Sequence, residues 1–99
     1  MNLIKNIEFR YLVTAPDLNS HGTLHGGVLL RWADEAAGMH SRKITNRVCV
    51  TRFIKNVEFK SKVRLGEILK ITTEIKSVGT TSITFSLDVI EAVSYTHLR

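Results

Sequence analysis

Residues 19–38 read NSHGTLHGGVLLRWADEAAG, and this stretch decides the fold. From residue 27 to residue 42 the sequence predicts the one helix of the chain. Leu29, Leu30, Ala33, Ala36, Ala37 and Met39 favour helix, and no proline interrupts the run. Together with Val28 and Trp32 they cover most of its circumference. A helix apolar on nearly every side is expected to be buried. Asp34 and Glu35 then stand out as carboxylates on an apolar rod. Ahead of the helix, residues 15–25 read as a loop. Pro16, Asp17, Asn19, Ser20 and Gly22 are turn formers there, and the pair Gly26-Gly27 opens the helix.

Outward from this stretch, the other segments carry strand signals. Residues 6–14 place Ile7, Phe9, Tyr11 and Val13 on one face and Glu8, Arg10 and Leu12 on the other. Residues 48–59 are rich in Val, Ile and Phe. Leu65-Gly66-Glu67 reads as a turn. Residues 67–78 set Leu69, Ile71, Thr73 and Ile75 against Ile68, Lys70, Thr72 and Glu74. Gly79-Thr80 makes the next turn, and residues 82–90 bring Ile83, Phe85, Leu87 and Val89 to one face. Short connections of this kind join antiparallel neighbours. The expected architecture is α+β: one antiparallel sheet wrapped around one long central helix, a single domain over residues 1–93. The segment SYTHLR, residues 94–99, carries no alternating face and is expected to be a non-native tail. Four strands around a helix would leave an open edge, so a last strand is expected to be missing.

Composition narrows the partners. The 99 residues allow one domain, and 43% apolar content excludes a disordered polar chain. No apolar run approaches the roughly 20 residues that cross a bilayer. The opening MNLIKNIEF alternates and is not read as a secretory signal. Cys49 is the one cysteine, so no internal disulfide and no zinc spacing are expected, and the default compartment is the cytoplasm. Lys and Arg number 14 against 9 Asp and Glu, a formal charge of +5. That excess suits an anionic partner: nucleic acid, a membrane surface or a phosphate-bearing ligand. The cations are scattered and aromatic content is 7%, too little for a base-stacking platform.

Several residues are candidates for chemistry. Asp34 lies seven residues after Gly27, roughly 10 Å along a helix axis, beside Leu30, Ala37 and Gly38. A carboxylate on an apolar face is costly unless paired, and burial would make it a more capable base. The alternative is a helix that turns Asp34 and Glu35 to solvent. Gly26 and Gly27 would present the first helical amides, whose orphan N–H groups and dipole can hold an oxyanion. They read equally as a plain tight turn. His21 and His25 have no partner at triad spacing, which favours capping or packing. Asn19 either orients a water or a carbonyl, or forms a turn. Gly79, Thr80, Thr81 and Ser82 form a hairpin turn whose hydroxyls and amides could meet a phosphate. Cys49 reads as a small buried apolar residue of a strand.

The framework Asn19, Gly22, Gly26-Gly27 and Asp34, as N..G..HGG......D, resembles the signature of the acyl-CoA hydrolase branch of the hotdog-fold thioesterases. CVTRFIKNVEF, VRLGEIL and SVGTTSITFSLDV resemble that family's later strands and turns, so the likeness runs from about Phe9 to Ile90. It implies a hotdog fold and a thioester hydrolase of lipid metabolism, cleaving acyl-CoA to a free acid and CoA. Asp34 matches the general base or nucleophile, and Asn19 the residue that positions the water or thioester. Gly27, with Gly26, matches the turn whose amide polarises the thioester carbonyl. Gly79, Thr80, Thr81 and Ser82 match a loop that contacts CoA. The resemblance implies no metal and no cofactor beyond the CoA of the substrate. It implies a homodimer with shared active sites, in some relatives a hexamer, acting on neither nucleic acid nor membrane. Two departures stand out: His25 where the family often has an aromatic, and Lys62 near a position where relatives carry proline. A competing reading from another class is a non-catalytic acyl-CoA sensor on the same fold. Nucleic-acid binding, a third, rests on net charge alone.

Overall fold

A computed structural model of the chain describes residues 4–49 and 62–94. Strand β1 spans Asn6–Leu12, helix α1 Gly26–Thr45, strand β2 Glu67–Val78 and strand β3 Ile83–Ser94. The described strands form one antiparallel sheet in the order β1-β2-β3. Its register sets Phe9 opposite Ile71 and Ile71 opposite Val89, and likewise Ile7, Thr73 and Leu87. These rows lie on the faces that the alternation predicted, and cross-strand contacts of this kind stabilise a sheet. The register shifts between Ile68 and Leu69 and again between Ile75 and Ser77. Beyond the second shift the alternation of burial along β2 ends.

The core comprises Val13, Trp32, Ala36, Val63, Leu69 and Ile71. Helix α1 meets the sheet through Trp32, Ala36 and His40, spaced four residues apart on one face. Tyr11 of β1 stacks on Trp32 with ring centroids 4.8 Å apart and planes 10° from parallel. The expectation of a helix buried all round is corrected here. Arg31, Asp34, Glu35, Met39 and Arg42 are exposed. The described sheet covers one side of the rod, and Met39 on another side is exposed while Leu30, Ala33 and Ala37 are half-buried.

The helix starts one residue earlier and ends three later than predicted. Asn46 stops it by taking a left-handed conformation, φ 58°, and donating its N–H to the Arg42 carbonyl at 2.7 Å. Arg42 and Lys43 in the last turn suit the negative end of the helix dipole. The Leu65-Gly66 turn has Gly66 at φ 83°, where glycine carries no side-chain penalty. The Gly66 N–H reaches the Val13 carbonyl at 2.9 Å, and the Val13 N–H reaches the Glu67 carbonyl at 2.9 Å. These two bonds tie the end of β1 to the start of β2.

His40 is fully buried between helix and sheet. Its Nε2 lies 2.6 Å from the Ile4 carbonyl oxygen and its Nδ1 2.6 Å from Thr73 Oγ1. A carbonyl only accepts, so Nε2 carries a proton and donates it to Ile4. One ring thus links α1, β2 and the segment before β1, with Phe85 packed against it at 4.9 Å.

Strand β2 has the predicted bounds. Strand β3 runs to Ser94, which pairs with Glu67 and draws the first residue of the expected tail into the sheet. Residues 95–99 lie outside the described residues, as does the predicted strand 48–59 apart from Val48 and Cys49. Both of these are exposed and belong to no described strand. Cys49 is therefore not the buried apolar residue expected; its Sγ lies 3.7 Å from the Arg47 carbonyl. Among the described residues, no helix is long and apolar enough to cross a membrane.

Candidate active site

The loop ahead of α1 is closed by its own polar side chains. The Asp17 carboxylate accepts from the Thr14 N–H and hydroxyl, both at 2.9 Å. The Asp17 carbonyl accepts the His25 N–H at 2.9 Å, and the Leu24 N–H reaches the Val63 carbonyl at 2.7 Å. Asn19 sits in the middle of this loop. Its Oδ1 accepts from the His21 and Thr23 N–H groups at 2.9 and 3.1 Å, and its Nδ2 donates to Thr23 Oγ1 at 3.1 Å. Asn19 is thus a turn former, the plainer of its two expected roles. A carboxamide has two N–H donors, and the second has no acceptor among the described residues. The group is fixed in orientation with one donor to offer.

At the helix start, His25 is the N-cap, and its Nδ1 accepts the Gly27 N–H at 2.8 Å. The Val28 and Leu29 N–H groups share the His25 carbonyl at 3.1 Å each. Among the described residues no acceptor lies on the Gly26 N–H. Both amides belong to the turn expected to polarise a carbonyl. The Gly27 amide is occupied by the capping ring, and the donor left open is its neighbour Gly26. The ring lies close over Gly27: a Cβ there would sit 3.1 Å from His25 Cε1 and Nδ1. With Nδ1 accepting, the neutral ring holds its proton on Nε2. Capping is thus the role the structure gives His25, whereas His21 is exposed.

Asp34 is exposed in the single chain. Of the two placements open from sequence, the solvent-facing one is the placement found. Gly26 and Asp34 are eight residues apart, about 12 Å along the axis. The neighbouring Glu35 carboxylate lies 4.0 Å from Arg31 Nε. Burial pushes the Tyr11 phenol above the ordinary tyrosine value, and the charge of Glu35 adds to the rise. An open cavity of about 350 Å³ lies along this side of α1, lined by Glu35, Gly38, Met39, Arg42, Val48 and Cys49.

Gly79, Thr80, Thr81 and Ser82 form the exposed tip of the β2–β3 hairpin, closed by the Gly79 N–H on the Ser82 carbonyl at 2.7 Å. Among the described residues no hydrogen bond joins this tip to the Asn19 loop or the helix start. Asn19, Gly26 and Gly27 thus share one lashed turn, and Asp34 follows about 12 Å further along the helix. Sequence reading missed the His40–Thr73 link and the Tyr11–Trp32 stack. The signal for His40 was its place eight residues after Trp32, on the face that carries Ala36.

The sequence model of the family described as "Thioesterase superfamily" matches residues 21–94. An acetyl-coenzyme A thioesterase of Mus musculus is 30% identical over 81 residues, which cover 82% of this chain and 15% of that protein. Among solved structures, an apo-hexameric acyl-CoA thioesterase superposes with TM-score 0.80 at 32% identity, over 87% of this chain and 55% of that one. An acyl-CoA hydrolase from Staphylococcus aureus, solved with butyryl coenzyme A, coenzyme A and coenzyme A disulfide, superposes with TM-score 0.82 over 92% of this chain and 56% of that one. At 24% identity this last likeness is one of fold. The chain spans about half the length of these two solved proteins and a smaller part of the mouse protein. The sheet wrapped on a single helix is the hotdog arrangement expected, and on the family match and these relatives the chain belongs to the thioesterase superfamily.

Proposed function

We propose that the chain hydrolyses acyl-CoA to a carboxylic acid and CoA, in active sites shared between two copies. The observation that carries this reading is the open Gly26 N–H at the positive end of α1, on a turn locked by Asn19 and His25. A preorganised amide there suits the oxyanion of a thioester under attack. The carboxylate that would act opposite it, Asp34, is about 12 Å along the same helix. An attacking water and a carbonyl held by the amide need reacting atoms about 3 Å apart, so one chain does not place both groups on one carbonyl. Two copies with their helix starts and Asp34 residues facing crosswise do. The hexameric relative supports assembly of this kind.

In this mechanism Asp34 takes a proton from water, and the hydroxide adds to the thioester carbonyl carbon. The tetrahedral oxyanion meets the Gly26 N–H, and the C–S bond breaks to release CoA thiolate, which takes up a proton. General-base action contributes about 10²–10⁴-fold and one oxyanion donor about 10²–10³-fold. Asn19 offers its second N–H to the water or the carbonyl. Attack by Asp34 itself, through an anhydride that water opens, is the alternative route. A single turnover in heavy-oxygen water separates them: label in Asp34 supports the anhydride. Thr80, Thr81 and Ser82 are the proposed CoA contacts, from the hairpin of one or the other copy. The site needs neither metal nor cofactor beyond the CoA of the substrate. Its setting is the cytoplasm, without nucleic acid or membrane as partner.

The test is CoA-thiol release from acetyl-, butyryl- and octanoyl-CoA. Turnover of at least one is expected. Tight binding without turnover would place the chain with acyl-CoA sensors instead.

A further inference from the structure

The cavity beside α1 has a direction. Asp34, Gly38 and Arg42 follow one another at four-residue spacing and so form one row on the helix surface. Their span is about 12 Å. Asp34, the proposed base, precedes Gly38 by one turn and is not itself among the residues that line the cavity. Gly38 lines the cavity and leaves it open: a Cβ built there has nothing within 4 Å. Met39 and Val48 line it with apolar surface, and they are 47% and 77% exposed in the single chain. Arg42, one turn beyond Gly38, also lines the cavity. Among the described residues no carboxylate lies within ion-pair distance of its guanidinium, whereas Glu35, the acid on the same cavity, has Arg31 beside it. An apolar cavity lined also by a guanidinium with no carboxylate partner among the described residues complements a chain that is apolar along its length and anionic at its tip.

We infer that this trough is an acyl subsite and that Arg42 selects acyl groups bearing a carboxylate at their far end, the ω-carboxyacyl-CoA class. The inference rests on the hydrolase reading above and names its substrate class. The acyl chain runs from the thioester near Asp34, over Gly38, to Arg42. Glycine at position 38 sets the usable length, because a larger side chain would fill the trough midway.

The experiment compares kcat/KM for octanoyl-CoA, its ω-carboxylated counterpart suberoyl-CoA, and acetyl-CoA. In the parent chain suberoyl-CoA is expected to be preferred over octanoyl-CoA. In Arg42→Glu the suberoyl-to-octanoyl ratio should fall about tenfold, because repulsion replaces attraction at an exposed site. Arg42→Lys, which keeps the charge, should hold that ratio within about threefold of the parent. In Gly38→Leu the octanoyl-to-acetyl ratio should fall about tenfold, the order expected when a pocket loses room for a few methylenes. Octanoyl-CoA hydrolysis with the suberoyl ratio unmoved in Arg42→Glu, or the acetyl ratio unmoved in Gly38→Leu, overturns the inference and leaves the hydrolase reading standing. Absence of turnover with all three substrates in the parent overturns that reading, and the inference with it.

Discussion

Replacing His40 with leucine tests how the helix is fixed to the sheet. Leucine fills most of the imidazole's volume but bonds neither Ile4 nor Thr73. The Ile4 carbonyl then loses the donor at 2.6 Å, and a buried acceptor left unpaired costs about 1–3 kcal/mol. The Thr73 hydroxyl has an alternative in the Ile7 carbonyl at 3.4 Å, a long bond that recovers little. Loss of the ring contact with Phe85 adds about 0.5–1 kcal/mol. Part of the sum is offset by leucine's apolar surface, which gives a net loss of about 2–3 kcal/mol. For a domain of this length that lowers the melting midpoint by roughly 10–20 °C. The assay is urea unfolding followed by circular dichroism, at fixed protomer concentration because the proposed assembly would contribute to stability. Adding Thr73→Val to His40→Leu should restore part of the loss, since one of the two stranded groups is then removed. A loss below about 0.5 kcal/mol with an unchanged denaturant slope would refute the reasoning.

Other outcomes follow from the same structure. His25→Ala removes the acceptor for the Gly27 N–H and should cost about 1 kcal/mol in urea unfolding; an unchanged midpoint would show that the cap contributes nothing. Ile71→Ala, at the fully buried centre of β2 between Phe9 and Val89, should cost about 2–5 kcal/mol by the same measurement, and a smaller loss would mean that the core collapses into the gap. Tyr11 holds its proton more tightly folded than unfolded, because burial and Glu35 raise its pKa above the ordinary 10.0. The stability this provides is complete below that ordinary value and is lost as pH rises through the raised folded value. Tyr11→Phe should flatten the alkaline limb of the stability curve, and the parent-minus-variant phenolate absorbance should titrate above the ordinary value. A phenolate signal that titrates at or below it would contradict the burial argument.

The parts of the fold set by local periodicity were legible. Strand β2 kept its predicted ends because Gly66 and Gly79 bound it on either side, although its alternation of burial ends beyond Ile75. The exit of α1 was not legible, since it depends on Asn46 adopting a left-handed backbone that most residues avoid. The burial of α1 was overstated for a different reason. Apolar residues around a helix show that something covers it, but not that one chain's sheet does. Met39, at 47% exposure, marks the side that the described sheet leaves uncovered. At the site, the Asn19–Gly27 turn was legible from glycines and turn formers. Which amide stays open was not, because it depends on the His25 ring folding back onto Gly27. The 12 Å between Gly26 and Asp34 was implicit in their spacing, and only its comparison with the reach of the chemistry turns it into an argument for two copies.

CoA-thiol release by the Asp34→Asn variant, beside the parent chain and with its folding checked by circular dichroism, probes the proposed chemistry most directly. Asparagine keeps the shape of the side chain and cannot take the proton of water. The account predicts that kcat falls about 10²–10⁴-fold while the spectrum is retained. A folded variant that releases CoA within about threefold of the parent rate would show that Asp34 is neither base nor nucleophile.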